Sequence, residues 1–390
     1  MNNFLRIIKS IVPCLLLTLC IGFCYAFSLF VPQISEAMNC GINTVRFAFC
    51  INIFFLGMGA AFFGNVVEKH IKIASTISTV LLYMGLLLTS ISIAVKSIPM
   101  LYVGFGLFCG LAEGCGYVTP VKNLLLWWKD TNKKGLVAAI SIISFGLGST
   151  LCSYLYKILS NRFDIAEVFF ALSIIYVIPM AVATILIDKP KEAKIEASNY
   201  VGVKLKDLLK DNFFTRAWLF MFLNISMGLI IIGSCSSILT DVKLSHNMVI
   251  IVMMLCGLFN GGGRLAFPVI SDFMKNRINI WVLTLIIECV VMIVPMFVYA
   301  LIPITVVLIN ATYGSAFATL PSVLYDKYGS KNLSQIHGLV LSAWGFASVF
   351  AYICLALITN FCTGYYYFSY LLFFVYLINL INVMWIKKNM

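Results

Sequence analysis

Long apolar runs separated by short polar clusters dominate this chain. Twelve can be delimited: 11–32, 47–67, 73–95, 97–121, 135–156, 168–187, 217–240, 248–271, 278–300, 302–325, 338–357 and 365–386. Each approaches the roughly 20 residues needed to cross ~30 Å of hydrocarbon. Spans of that length predict helices, because lipid offers the backbone no other partner. The pattern therefore predicts an all-α membrane protein with twelve transmembrane helices. Three spans are interrupted by one charge each, at Glu113, Arg264 and Glu288.

The longest polar stretch, Asp188–Phe214, carries six Lys against five Asp and Glu. Its end, Val203–Phe214, has helical apolar spacing and is expected to lie along the membrane surface. The stretch divides the chain into residues 1–187, a linker 188–214, and residues 215–390. The halves echo each other at an offset of about 200 residues. Gly135-Leu136-Val137 returns as Gly338-Leu339-Val340, and Pro120 as Pro321. Gly64 and Glu68-Lys69 close the second span as Pro268 and Asp272, then Lys275 and Arg277, close the eighth. The shared offset argues for two parallel repeats of six spans each, as in transporters that rock about a midplane site.

Composition strengthens the membrane reading. The chain is 62% hydrophobic and 11% charged, with mean hydropathy +1.00, where a soluble chain is about 25% charged. Placing the cations explains the net charge of +12. Twenty-one Lys and Arg fall on the side of the termini, and five (Arg46, Lys96, Lys157, Arg162 and Lys243) on the other. Both termini are thus expected in the cytoplasm, in a plasma or inner membrane, and the basic charge needs no nucleic acid. Met1–Ser10, with Arg6 and Lys9, looks like a signal n-region. The following run is too long for a signal core and has no clear cleavage site, so an uncleaved first helix is expected. The thirteen cysteines and three histidines form no ligand pattern, so no metal or cofactor is expected. No nucleophile–base set stands out, and an enzyme is not expected.

The chemistry centres on Asn260-Gly261-Gly262-Gly263-Arg264. A guanidinium stays protonated at any working pH, and at membrane depth it costs roughly 2.5–3.5 kcal/mol on insertion scales. An anion is its natural partner, so Arg264 is the expected fixed cation of a carboxylate site. The other readings are a permanent pair with a protein acid, or a side chain reaching the interface. The triple glycine is not a phosphate loop, since no Lys-Ser/Thr follows it and no strand precedes it. Glu113, between Gly110 and Gly114, is a candidate proton carrier, a resting partner for Arg264, or a carboxyl bonded to a backbone carbonyl. Gly104, Gly106, Gly110, Gly114 and Gly116, with Gly146, Gly148 and Ser149, fit close helix contacts.

Gly64-Asn65-Val66-Val67-Glu68-Lys69-His70-Ile71-Lys72 resembles the loop signature of the major facilitator superfamily, with Glu68 for the usual Asp and Ile71 for a glycine. The resemblance implies that Glu68, Lys69 and Lys72, with Asp272 and Arg277, cap helix ends and latch the halves on the cytoplasmic side. A narrower resemblance is to the oxalate/formate antiporter family. It rests on Gly110-Leu111-Ala112-Glu113-Gly114-Cys115-Gly116-Tyr117-Val118-Thr119-Pro120, on Trp128, Lys129, Asp130 and Lys134-Gly135-Leu136, on Tyr25-Ala26-Phe27-Ser28, on Asn260–Arg264, and on Phe317-Ala318-Thr319-Leu320-Pro321.

That resemblance implies two six-helix bundles around a central cavity and the anion of a small carboxylic acid as cargo. In the family's oxalate transporter an arginine of helix eight and a lysine of helix eleven face the dianion. Arg264 corresponds to the arginine, and Trp344 falls where the lysine would be. No Lys or Arg occurs from Asn332 to Ile386. One cation balances one carboxylate, which favours a monocarboxylate over oxalate. Tyr25, Tyr117, Tyr313 and Phe317 are the implied aromatic wall, with Trp344 adding bulk. Glu288 lies in a span that the superfamily places peripherally, and a structural role is expected.

The expected function is secondary transport of a small monocarboxylate by alternating access, as antiporter or proton symporter. A monomer is favoured. The competing readings are a non-transporting sensor on a transporter scaffold, and a transporter of another solute with Arg264 locked to Glu113.

Overall fold

The computed structural model describes residues 3–128, 134–190, 203–329, 333–361 and 367–389. Lys129 and Asp130, quoted above, lie outside them, as do Lys133, Lys191, Lys194 and Lys331 of the termini-side cations, the middle of the polar stretch, and Tyr365 at the start of the last predicted span. Twelve helices among the described residues are long and apolar enough to cross a membrane.

The helix α1 runs from Asn3 to Ile21 and continues as a 3₁₀ stretch, Gly22–Leu29. Next come α2 (Ile42–Lys69), α3 (Ile71–Ala94) and α4, whose parts are Ile98–Leu101, a π-helical Tyr102–Cys109 and Gly110–Trp127. Then follow α5 (Lys134–Leu159) and α6 (Ile165–Leu186). The second bundle holds α7 (Asn212–Asp241), α8 (His246–Asp272), α9 (Ile278–Phe297), α10 (Ile302–Tyr328), α11 (Leu333–Phe361) and α12 (Tyr367–Lys388).

Polar residues beside the apolar runs set several helix starts. Asp164 and Glu167 form a capping box at α6, Asp211 accepts from Phe213 N–H at α7, and Ser245 caps α8. Such caps satisfy amides that the first turn leaves without partners. The expected surface helix over Val203–Phe214 is not formed. One turn, Leu205–Leu208, precedes the Asp211 cap, and Asn212 already belongs to α7. The apolar spacing there is that of a spanning helix entering its bundle.

Helices also begin earlier than hydropathy predicts, because their first charges have partners. Arg6 Nε donates to the Trp127 carbonyl at 2.7 Å and its guanidinium sits 3.9 Å over the Trp128 ring. Lys9 pairs with Asp188 at 3.3 Å. Arg216, inside α7, lies 3.6 Å over Trp385 and donates to Asn382 at 3.1 Å.

The bundles meet along α5–α8 and α2–α11, and glycines set the approach. A Cβ on Gly146 would come within 2.7 Å of Asn260 Oδ1 and of the Gly261 Cα. One on Gly57 would lie 3.0 Å from the Gly345 Cα and nearer still to its nitrogen. Polar side chains bridge the seams. Thr150 Oγ1 donates to the Met254 carbonyl at 2.9 Å, Ser348 Oγ to Cys50 at 3.0 Å, and Ser236 Oγ to Ser28 at 2.5 Å.

A matched pair on α2 tests this packing. Gly57→Ala forces the α2–α11 backbones apart and should lower the melting temperature of the detergent-purified protein by several degrees. Gly64, whose Cβ would meet nothing within 4 Å, gains a residue better by roughly 0.8–1 kcal/mol in a helix. Gly64→Ala should leave melting unchanged or raise it.

Candidate functional site

Arg264 is completely buried (0% exposed), about 12 Å along the axis from the end of α8 at Asp272. Its side chain leans toward the helix N-terminus, as helical side chains do. It there meets Asn260, one turn back on the same face, whose Oδ1 accepts from Nε at 2.9 Å. The guanidinium therefore points away from the termini, and the reading in which it reaches the interface is corrected.

Six aromatic side chains from five helices enclose that guanidinium. Its Cζ lies 5.1 Å from the Phe145 ring centre and 5.2 Å from that of Phe317. Trp344 packs on Phe317 at 4.2 Å and on Tyr117 at 5.4 Å. Tyr313 and Phe317, one turn apart on α10, touch at 5.1 Å. Tyr25 completes the ring against Phe145 at 5.3 Å and Tyr313 at 5.7 Å. The Tyr25 and Tyr313 hydroxyls share a 2.8 Å hydrogen bond between the two bundles. All six rings are buried. Rings around a cation contribute roughly 0.5–2 kcal/mol each through their faces, but they offer it no counter-charge.

The hydrogen bonding within this cage is one-sided. Among the described residues, Arg264 Nη1 and Nη2, Trp344 Nε1, Asn260 Nδ2 and the Tyr117 hydroxyl are buried without a well-aligned hydrogen bond, and Trp344 lies beside the Tyr313 hydroxyl. Four of these atoms can only donate, and the Tyr117 hydroxyl lies beside the guanidinium. A buried donor left unmade costs roughly 1–3 kcal/mol. Among the described residues, what the group lacks is an anionic acceptor. An ionised carboxylate accepts at about four lone-pair positions and can take a guanidinium in a two-pronged bond.

The structure brings Arg264, Tyr25, Tyr117, Tyr313, Phe317 and Trp344 together. It also adds two residues that the sequence reading did not single out as contacts. Phe145 adjoins Gly146, which could have flagged it as the α5 residue at the α8 crossing. Asn260 lies four residues before Arg264, and helical spacing alone puts the two on one face. Trp344 contributes an unpaired N–H as well as the expected bulk.

Glu113 lies elsewhere, within the first bundle. Its Oε1 accepts from Asn52 Nδ2 at 3.2 Å, and the Cys24 thiol lies beside the carboxyl. The alternative pair between Glu113 and Arg264 is therefore not formed. Glu288 is likewise buried, with both oxygens 3.1 Å from Asn224 Nδ2, as a helix-contact role requires.

The charged groups at the termini face pair within bundles. Glu68 meets Lys122 at 2.5 Å, and Lys189 donates to the Glu68 and Lys69 carbonyls. Burial and nearby Lys122 pull the Lys189 ammonium below its usual pKa. Lys72 reaches the Ile185 carbonyl at 3.5 Å. Arg277 bridges Asp272 at 2.9 Å and Asp326 at 3.5 Å. Among the described residues these ion pairs hold each bundle's end together, and the expected latch between halves is not made by them.

The family model described as Major Facilitator Superfamily matches residues 13–352. The "Uncharacterized MFS-type transporter YhjX" of Escherichia coli (strain K12) is 27% identical over 346 residues, covering 84% of this chain and 82% of the relative. Among solved structures, the proton:xylose symporter XylE bound to 6-bromo-6-deoxy-D-glucose aligns with a TM-score of 0.77 at 12% identity, over 100% of this chain and 96% of that one. The partially occluded inward-open conformation of XylE from E. coli aligns at 0.73 and 11%, over 99% and 98%. At such identities the structural likeness concerns the fold alone.

Because Arg264 faces donors and rings but no anion, replacing it by an apolar side chain of similar length should relieve strain. Arg264→Met is expected to melt higher than the wild type in anion-free detergent. Added sodium pyruvate should raise only the wild type's melting temperature, through binding to the folded state. A variant that melts lower would make the guanidinium a packing element.

Proposed function

The chain belongs to the major facilitator superfamily, and from that premise we propose that it carries a small monocarboxylate across the membrane by alternating access. In this reading Arg264 grips the carboxylate with Nη1 and Nη2, and Trp344 Nε1 and the Tyr117 hydroxyl complete its hydrogen bonding. The observation that carries the proposal is a buried guanidinium among further buried donors and neutral hydroxyls, with no acidic partner among the described residues. The rings of Tyr25, Phe145, Tyr313 and Phe317 exclude water, which strengthens each bond to the anion. Transport requires the Tyr25–Tyr313 hydroxyl bond to break, since it ties one bundle to the other.

Trp344 sets the charge that the site accepts. An indole N–H supplies a hydrogen bond but no second positive charge, so a dianion would bring one unit of charge into low dielectric uncompensated. That favours formate, lactate, pyruvate or a similar monoanion over oxalate, within the narrower resemblance to the oxalate/formate antiporter family.

Bundles 1–187 and 215–390 rock about the 188–214 linker, with both termini cytoplasmic in a plasma or inner membrane, as the Lys and Arg distribution implies. Glu68, Lys69 and Lys72, and Asp272 with Arg277, keep each bundle's cytoplasmic end rigid during that motion. Coupling is by exchange or by proton symport, with Glu113, buried beside Asn52 and Cys24, as the proton site.

Counterflow in liposomes with labelled formate, lactate, pyruvate and oxalate tests the assignment. Arg264→Ala and Arg264→Lys should abolish exchange while the protein still inserts. Trp344→Phe keeps the ring, loses one buried hydrogen bond, and should weaken affinity about tenfold, or ~1.4 kcal/mol. Wild-type exchange by Arg264→Ala would overturn the carboxylate site.

A second measurement concerns coupling. Under symport, wild-type uptake should rise as external pH falls, and Glu113→Gln should flatten that profile while exchange at fixed pH persists. An unchanged profile would remove Glu113 from coupling.

A further inference from the structure

Arg46, in the first turn of α2, has no part in the site above. It lies on the face opposite the termini, where the two bundles meet, and is 6% exposed. Its Nη2 donates to Ser237 Oγ on α7 at 2.8 Å, and its Nη1 to Asn43 Oδ1 at 3.3 Å. The first of these bonds joins one bundle to the other.

Two cavities meet at this side chain. Outward lies an open mouth of about 750 Å³, lined by Gln33, Asn43, Arg46, Asp241, Lys243 and His246 among others. Inward lies a void of about 20 Å³ between α2, α7 and α11, lined by Arg46, Cys50, Leu229, Gly233 and Ser348 among others. Arg46 lines both. Ser348 is one helical turn from Trp344, on the same face of α11, so along that helix the void lies about one turn from the central cage. In the mouth Lys243 adds a second cation. The acid there, Asp241, already accepts from the Tyr299 hydroxyl at 2.8 Å.

We propose that Arg46 is an outer carboxylate station, and that its bond to Ser237 is a clasp which the arriving anion releases. This rests on the carboxylate reading of the central site. The chemistry is competition for one guanidinium. A carboxylate makes charge-assisted bonds roughly twice as strong as those a hydroxyl or amide makes. An anion entering the mouth therefore displaces Ser237 and Asn43. Freed of Ser237, α2 and α7 separate, and the void opens toward Trp344. Loading the outer station and opening the outer side are then one event. The mouth's cations also draw anions in from a distance, an effect that salt screens over about 8–10 Å.

The test combines transport and accessibility. In liposome uptake of labelled pyruvate, Arg46→Gln should raise KM about tenfold, far more than it lowers the saturated rate. Arg46→Lys should restore most of the affinity, and Ser237→Ala, which removes the competitor, should lower KM. Added salt should raise the wild-type KM more than that of Arg46→Gln. A merely structural Arg46 would lower the saturated rate and would not be rescued by lysine.

The clasp has its own reporter, Cys50, which lines the inner void and is buried. With the more exposed Cys40 replaced by serine, a membrane-impermeant maleimide should label Cys50 slowly, as mapped by mass spectrometry. Ser237→Ala, or pyruvate added to the unsubstituted Arg46 protein, should speed that labelling. An unshifted KM in Arg46→Gln, or labelling indifferent to both Ser237→Ala and pyruvate, overturns the proposal. Should the wild type move none of the acids, the central carboxylate reading fails. Pyruvate-dependent Cys50 labelling then decides on Arg46 alone.

Discussion

A permanent positive charge surrounded by hydrocarbon is the constraint on which this structure turns. Arg264 cannot shed its proton, and burial at membrane depth costs it several kcal/mol. Folded proteins usually relieve such a charge with an acidic neighbour or access to water. Here one nitrogen is bonded to Asn260, two aromatic faces flank the guanidinium, and among the described residues the other two nitrogens meet no carboxylate. In the proposed carboxylate site that penalty is what the substrate relieves. A site already satisfied by its own protein would have little free energy left to bind a passing anion.

The rest of the architecture positions that charge between two bodies. The cage draws Tyr25, Tyr117 and Phe145 from the first bundle and Tyr313, Phe317 and Trp344 from the second, so neither bundle alone contains a site. The glycine crossings explain how so many bulky rings can meet. Gly146 lets α5 touch α8 beside Asn260, which brings Phe145 against the guanidinium one residue away. Gly57 and Gly345 do the same for α2 and α11, setting the height of Trp344. Close backbone contact at the seams and large side chains in the middle are two aspects of one packing solution. The hydrogen bonds across the seams join single residues and can be exchanged one at a time, as a rocking motion requires.

Much of this was legible in the sequence, and the failures share a cause. Span number follows from hydrocarbon thickness, and Arg264 stands out because its cost at depth is large against any background. Tyr25, Tyr117, Tyr313 and Phe317 were reachable only through the resemblance, since 55 aromatic residues hide any one of them. Phe145 was missed because its one local signal, the adjoining Gly146, does not say which helix crosses there; its role arises from α8 crossing α5 at that glycine. The same holds for Glu68 and Asp272. Their charge suggested a latch between halves, but their partners Lys122 and Arg277 are set by neighbours within each bundle. Composition specifies what must be buried or paired; the identity of the partner is a tertiary property. Hydropathy also misplaced the start of α7, because Arg216 is tolerated inside that helix through its stacking on Trp385.

Irregular helix geometry supplies the remaining link, between the buried acid and the anion cage. Runs of 3₁₀ or π-helix are rarely long, and within a helix they often mark hinges or functional positions. Here α1 is 3₁₀ over Gly22–Leu29 and α4 is π-helical over Tyr102–Cys109. The rings of Phe27 and Phe105 stack at 3.9 Å between those two segments. Glu113 sits one turn beyond the π stretch, and the Cys24 thiol of α1 lies beside its carboxyl. The next residue, Tyr25, carries the hydroxyl that bonds Tyr313 across the bundles. Adjacent residues of one irregular segment thus face the acid and the cage. In the proposed symport cycle, a change in the charge on Glu113 alters the packing of α1 at Cys24, and the shortest consequence is a displaced Tyr25. Coupling then needs no ion pair between Glu113 and Arg264, and the absence of one is what such a relay requires. A direct pair would neutralise the guanidinium and remove the cation that the substrate needs.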